Sequence, residues 1–347
     1  MSPFHPAGET IRRKMIMIFI AGILAMMSSL AAVEKVTMAG STTVLPLGEA
    51  ASEAFNFEQK DYLVSVTGGG TGAGITGIAE GRFDIAMASR EVTPVERKRY
   101  GDGFVEHLVG YDGIVVAVSK PIYQAGIAGL TEDQLRRIYA GEINSWKDLG
   151  GPDDEIYVVS REQGSGTRDT FDEVIMGDKG AETPGVDTVA LGSAEVKTAL
   201  AGSDKAIGYL GFSYAKGGNI EPIALDGVMP SLQSIRNGSY ELSRKLYFYT
   251  FREPKDGTNA FIAFVMGPEG QKIAEQMGFV PLAEPIPIAN VTPREEKAPA
   301  PAPGLQGILA GIAFLGASWM ILRRKRLNPA VSHRGMAGNR SPQIDLH

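Results

Sequence analysis

Apolar and polar positions along the chain follow two alternating periods. Short apolar or β-branched runs at residues 36–39, 64–67, 84–88, 114–118, 156–159, 187–191, 206–211, 220–225 and 246–250 read as strands. Between them, apolar side chains recur at helical spacing over 46–55, 75–80, 130–139, 168–175, 193–201, 259–266 and 268–277, with Pro46 near a first turn and Gly278 as a stop. Strand followed by helix, repeated in this way, predicts two α/β lobes. No period of 20–50 residues recurs, which excludes solenoids and propellers.

Four of these strands end in the same kind of residue. The strand at 36–39 runs into Gly40-Ser41-Thr42-Thr43, and the strand at 64–67 into Gly68-Gly69-Gly70-Thr71-Gly72-Ala73-Gly74. The strand at 84–88 ends at Ser89-Arg90-Glu91, and that at 156–159 at Arg161-Glu162-Gln163-Gly164-Ser165-Gly166-Thr167. Hydroxyls and glycines at the carboxyl ends of strands, each before a helix, suit an oxyanion, which takes hydrogen bonds from backbone N–H groups and hydroxyls. Arg161 adds a guanidinium able to clamp two anion oxygens. The spacing that ends in Gly-Lys-Ser/Thr is absent, so this is no Walker A loop.

Both ends of the chain depart from this pattern. Arg12-Arg13-Lys14, an apolar run over 15–27 and small residues at Ser28 to Ala32 have the order of a secretory signal over 1–32. Residues 283–304 are rich in Pro and Ala and read as an extended spacer. Residues 305–322 are almost wholly apolar and run directly into Arg323-Arg324-Lys325-Arg326. About 18 residues give about 27 Å of helix, enough for a transmembrane anchor with snorkelling flanks. The basic residues place 323–347 on the cytoplasmic side and the folded body outside.

Composition narrows the chemistry. The chain has 347 residues and a net charge of −6, the balance of an ordinary acidic protein and not of a nucleic-acid binder. It has no cysteine, so disulfides, a thiol nucleophile and a lipid-modified N-terminal Cys are excluded. Of four histidines only His107 falls in the folded body, a poor start for a metal site, and no cofactor motif is present. A phosphoryl-transfer hydrolase would need a metal cluster or an activated nucleophile. Asp112, Asp172 and Glu173 read more simply as a loop brace and helix-surface residues.

Over residues 36–282 the chain resembles the extracytoplasmic phosphate-binding proteins of ABC-type phosphate uptake systems, in the type II periplasmic-binding-protein superfamily. The resemblance is carried by Gly40-Ser41-Thr42-Thr43-Val44, Gly69 to Gly74, Asp84 to Arg90, Asp112-Gly113-Ile114-Val115-Val116 and Arg161 to Thr167. Ile143-Asn144-Ser145-Trp146, Leu225-Asp226-Gly227-Val228 and Ser234 to Gly238 are further blocks. It implies an α/β fold of two lobes joined by a two-crossing hinge, lobe one being 33–116 with 242–282 and lobe two 117–241. It further implies a monomer that binds inorganic phosphate and passes it to permease subunits in the cytoplasmic membrane, with no catalysis.

Carried over by position, the ligand contacts fall on Thr42, Thr43, Thr71, Gly72, Arg161, Ser165, Gly166 and Thr167, with Ser89 beside them. Some members place an Asp after the third strand's Ser, where it accepts a phosphate proton and helps reject sulfate. Here that position is Arg90, a second positive charge, and the acceptor falls to Glu91 or Asp112 unless selectivity is built differently. Sulfate, molybdate and tungstate therefore remain alternative ligands, and a surface module that kept the fold is an alternative function.

Overall fold

The computed structural model describes residues 33–283. The expected signal (1–32), nearly all of the spacer (283–304), the anchor (305–322) and the basic tail (323–347) lie outside the described residues. Among the described residues no helix is long and apolar enough to cross a membrane.

The strands are β1 (Glu34–Gly40), β2 (Tyr62–Thr67), β3 (Ile85–Ala88), β4 (Phe104–Ser119), β5 (Gly129–Leu130), β6 (Tyr157–Arg161), β7 (Thr188–Ala190), β8 (Ala206–Gly211), β9 (Ile220–Pro222), β10 (Ala224–Leu225) and β11 (Ser243–Phe251). They are ordered β2-β1-β3-β11-β4-β8-β6-β7, with β9 also on β4 and with β5 and β10 forming a separate pair. In the first half, β1, β2 and β3 run parallel, and β11 inserts antiparallel between β3 and β4. In the second half, β6 runs parallel to β7 and β8, and β8 is antiparallel to β4.

β4 belongs to both halves. It pairs with β11 from Phe104 to Gly113 and with β8 from Ile114 to Val118. Its second part is apolar on both faces: Ile114, Val116 and Val118 enter one core with Trp146, Phe171 and Tyr209, and Val115 and Ala117 enter another with Val196 and Leu210. Strands covered on both faces are selected for such continuous apolar runs. The polar Glu106 and His107 hide the first part of the strand from a reading by periodicity, so the expected strand 114–118 is the end of a much longer one.

Helix α1 (Leu45–Glu58) buries Leu47, Ala51 and Phe55, one stripe at a spacing of four, against the core of Val36, Met38, Val64 and Phe248. The helices that follow are α2 (Thr71–Ala79), α3 (Pro94–Tyr100), α4 (Lys120–Gln124), α5 (Glu132–Tyr139) and α6 (Gly166–Phe171). α5 ends at Tyr139, well short of Trp146, which opens a separate short 3-10 turn; α6 passes into a π turn at Asp172–Met176. The sequence reading has no counterpart to α3. Its signal is the capping box in which Thr93 and Glu96 satisfy each other's backbone N–H.

Candidate functional site

Because β1, β2 and β3 are parallel, their carboxyl ends bring the loops at Ser41–Thr43, Gly68–Thr71 and Ser89–Glu91 to one edge of the first half. The end of β6 brings Arg161 and the Gly164–Thr167 loop to meet them. Gly72 N donates to Gly164 O at 3.0 Å, and Thr43 Oγ1 lies 2.9 Å from Thr167 Oγ1. Thr71 Oγ1 lies 3.3 Å from Ser89 Oγ. Gly166 packs against this pair so closely that a Cβ there would stand 2.6 Å from Ser89 Oγ and 2.8 Å from Thr71 Oγ1, so only glycine fits. Gly164, at φ +80°, makes the turn that delivers this loop. Ser165 caps α6, its Oγ accepting from Arg168 N at 3.3 Å.

Arg161 is 1% exposed. Its Nε and Nη2 donate to the two carboxylate oxygens of Glu162 at 2.8 and 2.9 Å, Nη2 donates to Thr42 Oγ1 at 3.0 Å, and Nη1 to Ser193 Oγ at 3.3 Å. A guanidinium carries five N–H donors, so one on Nη1 is left over. Tyr214 adds a wall, donating to Thr42 O at 2.8 Å, and burial pushes its hydroxyl up to about 12, so it remains a neutral donor.

The residues expected to set selectivity occupy three different environments. Arg90 donates to both oxygens of Glu96 at 2.9 and 3.0 Å and to Asp169 Oδ2 at 2.6 Å, the last contact joining β3's end to α6. Burial works against the Arg90 charge, but Glu96 and Asp169 outweigh it and hold the guanidinium above its ordinary value. With two carboxylates on one cation, this cluster has no spare positive charge for an anion. Glu91 is exposed, accepts from Tyr247 OH at 3.0 Å, and lines a shallow cavity of about 280 Å³ together with Ser89 and Arg244.

Asp112 is fully enclosed. Its Oδ2 accepts from Arg244 Nη2 at 2.8 Å and Nε at 3.2 Å, and its Oδ1 accepts from Phe212 N at 3.2 Å. Burial pushes the Asp112 carboxyl up and the Arg244 guanidinium down, against their mutual attraction. Arg244 Nη2 also donates to Thr43 Oγ1 at 3.1 Å. No local pattern in the sequence marks Arg244. It sits at the entry to an apolar strand and meets Asp112 only because β11 lies beside β4.

Of the other acidic candidates, Glu173 is exposed and paired with Lys179, whereas Asp172 is buried and paired with Arg168 at 3.3 Å. Among the described residues, no group of three or more His, Cys, Asp or Glu side chains is placed to hold a metal ion.

Residues 27–269 match the PBP superfamily domain. The chain is 32% identical over 252 residues to the phosphate-binding protein PstS of Bacillus subtilis, covering 72% of this chain and 81% of that protein. It is 34% identical over 260 residues to the protein of the same name from Staphylococcus saprophyticus, with 70% and 79% covered. Among solved structures it is similar to a putative phosphate ABC transporter substrate-binding protein with bound phosphate from Clostridium perfringens. That likeness has a TM-score of 0.67 and 35% identity, and covers 72% of this chain and all of the other. The two-lobed α/β architecture, the loops at its strand ends and these relationships agree: the chain belongs to the PBP superfamily, among the relatives of the PstS phosphate-binding proteins.

Proposed function

We propose that this protein captures inorganic phosphate outside the cytoplasmic membrane and delivers it to the permease of an ABC transporter, without chemistry of its own. The observation that carries the reading is the convergence of hydroxyls and glycines from both halves on two charge-balanced arginines, Arg161 with Glu162 and Arg244 with Asp112. Such a site holds a dehydrated anion mainly by directed donors, with little net charge. The names of the Bacillus and Staphylococcus relatives and the phosphate in the Clostridium structure support phosphate as that anion.

In this reading Thr42, Thr43, Thr71, Gly72, Ser89, Arg161, Ser165, Gly166 and Thr167 supply the donors. Glu91 is the acceptor for the ligand's proton, because both oxygens of Asp112 are already engaged. Arg90 is assigned to closure and not to the ligand. The lobes are 33–116 with 242–282 and 117–241, hinged where β4 changes partner and where Ile114 N meets Leu242 O at 2.7 Å. Two crossings of this kind permit a clam-like closure.

A cleaved signal at 1–32 and a retained anchor at 305–322, joined by the 283–304 spacer, would hold a monomeric binding body at the outer face of the membrane. Equilibrium dialysis with radiolabelled phosphate tests the ligand: saturable one-to-one binding is expected, and none would reject the reading. Fractionation tests the anchor. The full chain should sediment with membranes and a chain ending at Ala300 should not.

A further inference from the structure

We propose that Arg244 is a second anion-contacting arginine of the site, and that its pairing with Asp112 makes it both a donor to the ligand and the group that orients the hydroxyls around it. The proposal rests on the phosphate reading above and adds a residue that the strand-end loops do not supply.

Arg244 is 8% exposed and spends Nε and Nη2 on Asp112 and Thr43, whereas its Nη1 is buried with no hydrogen-bond partner among the described residues. An interior guanidinium nitrogen with both N–H groups unused is costly, and a role in pinning β11 to β4 does not need it. The Nε and Nη2 bonds to Asp112 already do the pinning.

The position is also the right one. Thr43 Oγ1 accepts from Arg244 Nη2 and lies 2.9 Å from Thr167 Oγ1. Because Thr43 accepts from the arginine, its own proton points away from it, toward Thr167 or the ligand. Arg244 thereby turns the hydroxyls at the junction of the two halves into donors. Arg244 also lines the cavity shared with Ser89 and Glu91. Asp112 makes this arrangement tenable. It neutralises Arg244 at 2.8 Å and reaches Phe212 N, beyond the end of β8, so one carboxylate touches both sides of the β4 crossing. The charge of Arg161 also bears on Arg244, disfavouring two cations in one dry site until an anion arrives.

The test is phosphate titration by calorimetry of the ligand-free full chain, wild type against Arg244→Lys and against the double variant Arg244→Met with Asp112→Asn. The double variant leaves no unpaired buried charge, and its unfolding temperature without ligand checks that it folds. The expected result is a loss of at least about tenfold in phosphate affinity in both variants, since a single charge-assisted bond carries that much. Arginine side-chain NMR of the wild type gives a readout independent of variant folding. The Arg244 guanidinium signals, assigned by their absence in Arg244→Lys, should shift on phosphate addition. Folded variants with wild-type affinity, or Arg244 signals that do not move at saturation, would overturn the proposal. A wild type that fails to bind phosphate would instead reject the phosphate reading itself, before any variant is compared.

Discussion

Two sets of buried arginines in this molecule have different charge balances. At the end of β3, Arg90 faces two carboxylates, Glu96 and Asp169, whose attraction outweighs the burial that opposes its charge. Arg161 at the end of β6 and Arg244 at the start of β11 each face one, Glu162 and Asp112. Position after a strand would make Arg90 a ligand residue. In the proposed reading its partners make it a clasp, because a guanidinium already opposed by two carboxylates attracts a further anion less than a neutral pair with unspent donors does. The difference lies in what surrounds the side chain and not in the side chain itself.

The sharpest way to break this contrast is to remove one arginine from each cluster. Arg161→Ala takes away a donor and leaves Glu162 facing the anion, so phosphate affinity should fall by a hundredfold or more, on the order of 3 kcal/mol, by calorimetry. Asp169→Asn opens the clasp without touching the ligand-facing loops. It should weaken phosphate by about tenfold at most, from less stable closure, and should leave the preference among anions unchanged. If Asp169→Asn matched Arg161→Ala, or altered anion preference, Arg90 would belong to the ligand site after all.

Much of this was legible in the sequence. The Thr42–Thr43, Thr71–Gly72, Ser89 and Arg161–Thr167 loops were visible because each follows its own strand, and parallel strands carry their ends to one edge. The clasp and Arg244 were not. Glu96 is six residues from Arg90, but Asp169 is seventy-nine away, and Arg244 stands 132 residues from Asp112 and 201 from Thr43. The Arg244 contacts exist because a late strand, β11, inserts between β3 and β4, and the clasp exists because α6 is carried to the end of β3; no local period announces either. The helix at Pro94–Tyr100 was legible in principle: Thr93-Pro94-Val95-Glu96 is a capping box, and its Glu is the same one that holds Arg90.

A third buried pair, Arg168 with Asp172, supports the Arg161 loop because Arg168 Nη1 donates to Arg161 O at 3.1 Å. Burial pushes the Asp172 carboxyl up to about 6, with Arg168 pulling the other way. A folded value above the unfolded one means that the native state holds the proton longer. The stability this contributes is present below about pH 4 and is lost as pH rises to about 6. Asp172→Asn cannot titrate, so in urea unfolding it should gain on the wild type over that window by on the order of 2 kcal/mol and stay level above it. A constant difference across pH 4–7 would contradict this. Smallest of all, Thr43→Ser keeps the hydroxyl between Arg244 and Thr167 and should change phosphate affinity by less than about threefold.

In the proposed reading the converging loops form a phosphate site with an acceptor for the ligand's proton. Calorimetric titration of the ligand-free protein with phosphate, sulfate, molybdate and tungstate at pH 7 tests it most directly. One-to-one phosphate binding at least about a hundredfold tighter than sulfate is expected, because a fully ionised anion has no proton to offer Glu91 and is repelled by it. Sulfate bound as tightly as phosphate would contradict the acceptor, and preference for molybdate or tungstate would contradict the assignment of phosphate.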